Sequence, residues 1–532
     1  GQLIAAGTAN NLISFTSNQT NPSPGDWAQI EFTDSAITTT VDVDGNYISG
    51  SILQFCIVEY AGVNVTGAIN ARSLLVDNCI VRNNDGRGIY NIGTSTEPAW
   101  VSNNVVTNNS TNDLYGNSGS VYIRYGTVTN NTVSDNINQG IYAWDSIVHN
   151  NTISNNTYGG MYAALSTVSE NTVLNNSKNQ DGGGIFGSTS TIIGNFVSGN
   201  SIEDGDGGGI YGPGSTVIDN IVVDNVNELG EGGGISQGDV ISGNTVLRNL
   251  ARSGGGIYAG SATVSENVIS ENSARYGGGL SILSGDVFTN TISNNSVSDN
   301  AVCGACSDPY GAGAYIYSAD FLFNTVVGNT GPLNTEIGGL EINGTQPLEA
   351  HYNNFYNNIP YDVTVRDPGL YASVDISGTL NFWGTDSSVN ILGQIYDWYD
   401  DSDRGKFLYV PYLQETNTDA PFPPPTGLIA NIESDQTVLT WDPLPSFTTG
   451  WGYKVYYDTD SAIPPFVGSN LNEGNSPIDV GNQTTFMLTG LDPIQDYYFT
   501  VTAYDNNGHE SWYANVVWKQ GGYWIYLPAI IK

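Results

Sequence analysis

Between residues 78 and 358 the polar and apolar positions fall into one six-residue phrase, repeated twelve times: Asn, any residue, an apolar residue, two residues, Asn. The first Asn stands at Asn78, Asn104, Asn131, Asn151, Asn171, Asn195, Asn220, Asn244, Asn267, Asn290, Asn324 and Asn353. The apolar residue two places on is Ile80, Val106, Val133, Ile153, Val173, Val197, Val222, Val246, Ile269, Ile292, Val326 or Phe355, and the second Asn closes the phrase at Asn83 through Asn358. Most copies are preceded by a glycine-apolar-aromatic phrase such as Gly88-Ile89-Tyr90 or Gly208-Gly209-Ile210-Tyr211. Gly, Asn, Thr and Val disfavour helix, and no 3.6-residue apolar period appears. A repeat in the twenties built from short β-branched strands and turns predicts a solenoid. Equivalent residues then stack one coil apart. Val and Ile fill the interior, Asn sits at the turns and bonds to the Asn of the next coil, and glycine allows close approach at another corner.

These phrases resemble those of the right-handed parallel β-helix, pectin-lyase-like superfamily, over residues 1 to 415. The resemblance implies an all-β chain. Twelve repeats with their flanking coils would give about 15 coils, a rod of about 70 Å at strand spacing. Residues 375–415 resemble the closing segment of bacterial β-helices, with the aromatics of Asn381-Phe382-Trp383-Gly384 and Ile395-Tyr396-Asp397-Trp398-Tyr399 covering the last coil. Residues 1–70 read as the first coils. A chain starting in a strand leaves unpaired backbone there, so either an upstream segment or a partner would close that end.

The aromatic after the inward Ile forms its own column: Tyr90, Tyr122, Tyr142, Tyr162, Phe186, Tyr211 and, after a gap at Ser236, Tyr258. It should point outward and stack. One reading is ordinary strand packing. The other is a flat strip for sugars or for lateral contact with a second copy. Acidic turns on three successive coils bring Asp181, then Glu203, Asp204 and Asp206, then Glu228 and Glu231, toward one edge. That edge is either solvated or a structural Ca²⁺ site, since Ca²⁺ accepts several oxygens in flexible geometry. Asp397, Asp400, Asp401 and Asp403 make a second such candidate. No cofactor is required by either reading.

Cys303 and Cys306, in Cys-Gly-Ala-Cys, suit a disulfide pinning a loop. Cys56 and Cys79 head matching phrases and should be neighbours on adjacent coils. Coil spacing suits a disulfide by Cα distance but holds parallel Cβ atoms somewhat too far apart, so that bond is left open. Either disulfide would fit an oxidising, extracellular setting.

After the β-helix the pattern changes. Pro421 and Pro423 to Pro425 make a stiff linker within residues 416–425. Residues 426–518 show longer alternating strands, with Trp441 in Val438-Leu439-Thr440-Trp441 and a tyrosine corner at Leu491-Asp492-Pro493 with Tyr497. These resemble a fibronectin type III domain, whose usual role is spacer or binding module. Residues 519–532 form an apolar tail in which Trp524, Tyr526, Leu527 and Ile530 would pack on their own module or add a strand to a neighbouring subunit. The ending resembles those of secreted surface proteins of the Chloroflexota type.

With 14 Lys and Arg against 52 Asp and Glu, the formal charge is −38. That argues against nucleic acid and anionic membranes as partners, since neither would be attracted. No apolar run is long enough for a transmembrane segment. The superfamily's enzymes imply an Arg or Lys base with Ca²⁺, or clustered aspartates with His and an Arg-Ile-Lys phrase; neither pattern occurs. His149, His351 and His509 are far apart, and His149 has no acid partner in view. The expectation is a secreted, cell-surface, non-catalytic structural protein, forming an extracellular filament head-to-tail through its β-helix ends and apolar tail, or associating laterally. The alternatives are a carbohydrate-binding adhesin using the tyrosine strip, and a polysaccharide lyase or hydrolase.

Overall fold

The computed structural model describes residues 1–520 apart from 63–65, 111–118, 298–308, 334, 344, 368, 370–372, 434 and 446–449. Cys303, Cys306 and the tail residues Trp524, Tyr526, Leu527 and Ile530 therefore lie outside the described residues. Among those described, short strands dominate and the one α-helix is Ser388–Leu392. They group into two compact bodies, Gly1–Val287 with Asn295–Ala319, and Phe288–Asn294 with the chain from Asp320.

In the first body one coil illustrates all. Strands Gln139–Trp144, Ile147–His149 and Thr152–Ser154 are separated by two-residue corners, each opening on a left-handed residue. Each pairs in parallel and in register with the next coil: Ile141 with Met161, Val148 with Val168, Ile153 with Val173. All six side chains point inward and are fully buried. Period-2 alternation places the residues on either side of each one outward. The left-handed residues are Asp145, Asn150 and Asn155, at φ 47°, 52° and 55°. A single left-handed residue turns the chain through one corner, and Asn and Asp tolerate it best after glycine.

The turn chemistry differs from the expectation in one respect. Left-handed backbone and ladder bonding are divided between adjacent residues. The left-handed residue comes first; the ladder Asn follows it and points into the coil. Two asparagine ladders result. Asn131, Asn151, Asn171 and Asn195 are linked Nδ2 to Oδ1 at 2.9 Å per step. Asn136, Asn156, Asn176 and Asn200 are linked at 3.0 Å. A third, shorter ladder of serine hydroxyls runs through Ser146, Ser166, Ser190 and Ser215, each accepting from the backbone N–H one coil before. The ladders satisfy strand-end carbonyls that would otherwise be buried without partners.

The first copy of the phrase is displaced by one residue. Val81, not Ile80, pairs with Val106 and is buried, and the ladder begins at Asn84, not Asn83. Asn78 and Asn83 are left-handed corner residues, at φ 51° and 54°. Cys79 takes the ladder place: its N–H donates to Asn104 Oδ1 at 2.8 Å, and Cys56 N–H donates to Cys79 Sγ at 3.4 Å. The two cysteines are coil-to-coil neighbours, buried and free. Their parallel side chains keep Cβ spacing near the coil spacing, beyond the usual disulfide range. The hydrogen bond with Cys56, together with burial, holds the Cys79 thiol well above its ordinary value.

Paired glycines serve close approach. A Cβ on Gly184 would lie 2.6 Å from the Gly209 carbonyl oxygen and 2.8 Å from Val197 Cγ1.

The second body has an asparagine ladder of its own, through Asn290, Asn324, Asn353 and Asn381 at 3.0, 3.3 and 3.0 Å. Asn381 belongs to the closing segment. Beside it, fully buried Trp383 lies 5.3 Å from Phe355 and 5.9 Å from Phe407, ring centre to ring centre, and covers the inner column. Asp397 accepts from the Tyr399 and Phe407 N–H groups, at 2.9 and 2.8 Å, and Asp401 from Arg404 Nε at 3.1 Å. These carboxylates hold the segment's own loops.

The proline run of residues 416–425 is packed. Pro423, Pro424 and Pro425 are buried, and the Pro421 carbonyl accepts from Thr325 Oγ1 at 2.6 Å. Beyond them, strands Ile429–Ile432, Gln436–Thr440 and Thr485–Thr489 form one antiparallel sheet, and Ile478–Gly481, Gly452–Asp458, Tyr497–Tyr504 and Val517–Lys519 a second. Trp441, Tyr453, Leu488 and Phe499 fill the space between them. The Tyr497 hydroxyl accepts from Asp492 N–H at 3.0 Å, completing the tyrosine corner.

Candidate functional site

The aromatic column forms as its spacing predicts. In-register pairing sets Tyr90 beside Tyr122, then Tyr142, Tyr162, Phe186 and Tyr211. Ring centres are 4.7, 5.0, 4.7, 4.9 and 5.0 Å apart. The first three steps are stacked, the fourth tilted and the fifth edge-on. Buried Ser236 interrupts the column before Tyr258, in register with both. Arg87 adds its guanidinium to the Tyr90 and Tyr122 rings at 5.7 and 5.6 Å, and Lys178 Nζ lies 5.5 Å from the centre of Phe186. Burial, then the neighbouring Tyr162 and Tyr122, push the Tyr142 hydroxyl up to about 12.

Stacking along the axis has a chemical consequence. Each inner ring in the stacked run has its faces against the rings one coil away. What remains for solvent is a row of ring edges and hydroxyls. A sugar stacked on an aromatic needs an open face. The column is therefore packing between coils, worth about 0.5–1.5 kcal/mol per pair beyond area burial, and a poor platform for glycans.

The acidic residues separate into two sets. Asp181, Asp206 and Glu231 are partly buried and stand one per coil. Asp206 N–H donates to Asp181 Oδ1 at 2.9 Å, and Glu231 N–H donates to Asp206 Oδ1 at 3.1 Å. Carboxylates act here as rungs of a ladder, like the asparagines elsewhere. Glu203, Asp204 and Glu228 are exposed. Among the described residues no group of three or more His, Cys, Asp or Glu is placed to hold a metal ion. Convergence of all six is not what the structure shows.

Burial, then the neighbouring carboxylate, raises both Asp206 and Glu231 above the ordinary range, with backbone hydrogen bonding opposing the shift at Asp206. Glu231 also bonds Tyr258, whose hydroxyl is raised by burial first and then by that carboxylate. Such a pair holds a proton at higher pH than free carboxylates do.

One pair escaped the sequence reading. His149 has an acidic neighbour: its Nε2 is 3.9 Å from Glu170 Oε2, while Nδ1 is 3.1 Å from Ser169 Oγ. The signal was the 20-residue coil length, which sets Ser169 beside His149 and Glu170 at the next corner. Both side chains are well exposed.

A family model described as "Right handed beta helix region" matches residues 61–227, and one for the fibronectin type III domain matches residues 423–517. No curated protein matches the chain. Among solved structures, one titled "Myokine structure" is 15% identical, over 20% of this chain and 100% of that chain, with a TM-score of 0.15, too slight a likeness to carry an argument. Taken with the in-register coils and the two facing antiparallel sheets, the two family matches make this chain a right-handed parallel β-helix followed by a fibronectin type III domain.

Proposed function

We propose that this is a secreted, non-catalytic structural protein of the cell surface that self-associates through strand edges. A β-helix joined to a fibronectin type III domain points to a surface or adhesion-type protein. The observation that carries the structural reading is the use of side-chain columns. The amides of the ladder asparagines, the tyrosine faces and the partly buried carboxylates of the acidic edge are engaged between coils.

Self-association draws on the first coil. Strands Ile4–Ala6, Ile13–Phe15 and Ile30–Glu31 pair with the second coil through Ile52, Cys56 and Ile69. Ile4, in the first of these strands, is more than half exposed. Exposed apolar positions on short strands can meet the strands of a second copy edge to edge.

Electron microscopy and sedimentation of the purified chain across a concentration series test this reading. Assemblies that lengthen with concentration are expected, and Ile4→Lys should shorten them. A single monomeric species throughout, or release of sugar products from polysaccharide by the wild type, would overturn it.

A further inference from the structure

The outer face of the first coils holds a cleft that none of the columns accounts for. Residues 40–49 leave the coil as an antiparallel hairpin, Thr40–Val41 against Tyr47–Ser49. The tip is braced by Asp42, whose Oδ1 accepts from the backbone N–H of Asp44 and Asn46 at 2.9 and 2.8 Å. It folds back over the sheet and rests on Trp100. Gly45 makes that contact possible: its φ is +84°, and a Cβ there would lie 2.9 Å from the indole Cζ3. Between hairpin and sheet is a cleft of about 490 Å³, within the range of small-ligand sites.

The floor is organised around Asp77, which is 8% exposed. Its carboxylate accepts four hydrogen bonds: from Gln54 Nε2 and Asn78 Nδ2 at 2.8 Å, from Ser102 Oγ at 2.9 Å and from Asn103 Nδ2 at 2.8 Å. Three coils thus have their polar side chains fixed in orientation around one acceptor. Pre-set amides and hydroxyls beside a half-buried indole and a tyrosine, Tyr47, suit a ligand that is uncharged and rich in hydroxyls. No Lys or Arg lines the cleft, and Asp44 does. An anionic ligand would meet only negative charge.

The edge of the cleft is open along the coil axis. Asn103 and Asn130 sit at left-handed corners, and the row continues to Asn150, whose Nδ2 donates to Asn130 Oδ1 at 2.8 Å. Successive amides one coil apart can meet successive units of a linear chain.

We infer that the cleft between the 40–49 hairpin and the Gln54–Asp77–Ser102 floor binds a neutral oligosaccharide. The test uses the full chain in titration calorimetry against cellotetraose, xylotetraose and mannotetraose, with tetragalacturonate as the charged comparison. Binding of at least one neutral tetrasaccharide, and weaker or no binding of the uronate, is expected. Trp100→Ala should lower affinity about tenfold or more. Because that change also loosens the hairpin, Gln54→Ala and Ser102→Ala, which alter only the floor, are measured beside it and should weaken binding too. Tyr142→Phe, in the aromatic column, should leave it unchanged. Binding of none of the neutral probes, equal or tighter binding of the uronate, or affinity indifferent to both floor variants would overturn the inference.

Discussion

Replacing Asn171 with alanine should destabilise the coils around it by about 3 kcal/mol or more, since each buried group left without its partner costs about 1–3 kcal/mol and several are left here. Its Nδ2 is 2.9 Å from each of three acceptors, the Val148 and Ser169 carbonyls and Asn195 Oδ1. Its Oδ1 accepts from the backbone N–H and the Nδ2 of Asn151, both at 2.9 Å. No water reaches these groups to replace the lost partner, since Asn171 is 1% exposed and its ladder neighbours are as buried. In a repeat array each coil is stabilised by its neighbours, so the damage should spread along the axis and fade. Hydrogen exchange followed on peptides from residues 140–200 should show faster exchange, largest beside position 171. Asn171→Asp should be worse than alanine at neutral pH, because a carboxylate accepts from Asn151 but repels the three acceptors, and should recover partly in acid.

The second large effect concerns Asp362, where an asparagine ladder ends. Asn329 Nδ2 donates to Asn358 Oδ1 at 2.8 Å, and Asn358 Nδ2 to Asp362 Oδ1 at 2.7 Å. The other carboxylate oxygen, Oδ2, is buried without a hydrogen-bond partner. Burial raises this carboxyl to about 7, against the opposing hydrogen bonds from Asn358. The folded chain keeps the proton to about pH 7, whereas the unfolded chain releases it near pH 4. Between those values the unfolded state binds fewer protons, so this group's contribution to stability falls as pH rises and is level above about 7. The full swing is on the order of 3–4 kcal/mol. Asp362→Asn should abolish it. Calorimetry at pH 5 and pH 8 should find the variant's advantage over wild type larger at pH 8. An advantage that does not change with pH would refute the assignment.

Much of this architecture was legible because parallel in-register coils turn sequence period directly into spatial neighbours. Eleven of the twelve proposed inward residues, from Val106 to Phe355, are fully buried, and Tyr90 to Tyr211 stack in the order read. The error at Ile80 has a physical origin. Asparagine favours both the left-handed corner and the ladder place after it, and the stretch Asn78-Cys79-Ile80-Val81-Arg82-Asn83-Asn84 offers Asn at corner and ladder alike, with a cysteine hiding one rung. The acidic edge was harder. Sequence places Asp181, Asp206 and Glu231 near one another, but which carboxylates a backbone N–H takes depends on the turn's path. The cleft beside Trp100 was not legible at all. Asp44, Gln54, Asp77 and Trp100 come from four separate segments, and the hairpin's path over the sheet is set by the contact of Gly45 with an indole 55 positions away.

The central claim is that side-chain columns, locked coil to coil, hold this chain together and occupy the groups a reactive surface would need. Hydrogen exchange of the asparagine side-chain amides, resolved by NMR on protein carrying isotope-labelled asparagine, tests it most directly. A slowly exchanging set is predicted, absent from unfolded protein and reduced by Asn171→Ala, alongside fast-exchanging, exposed corner asparagines such as Asn130 and Asn175. Uniformly fast exchange of every asparagine amide would contradict the account.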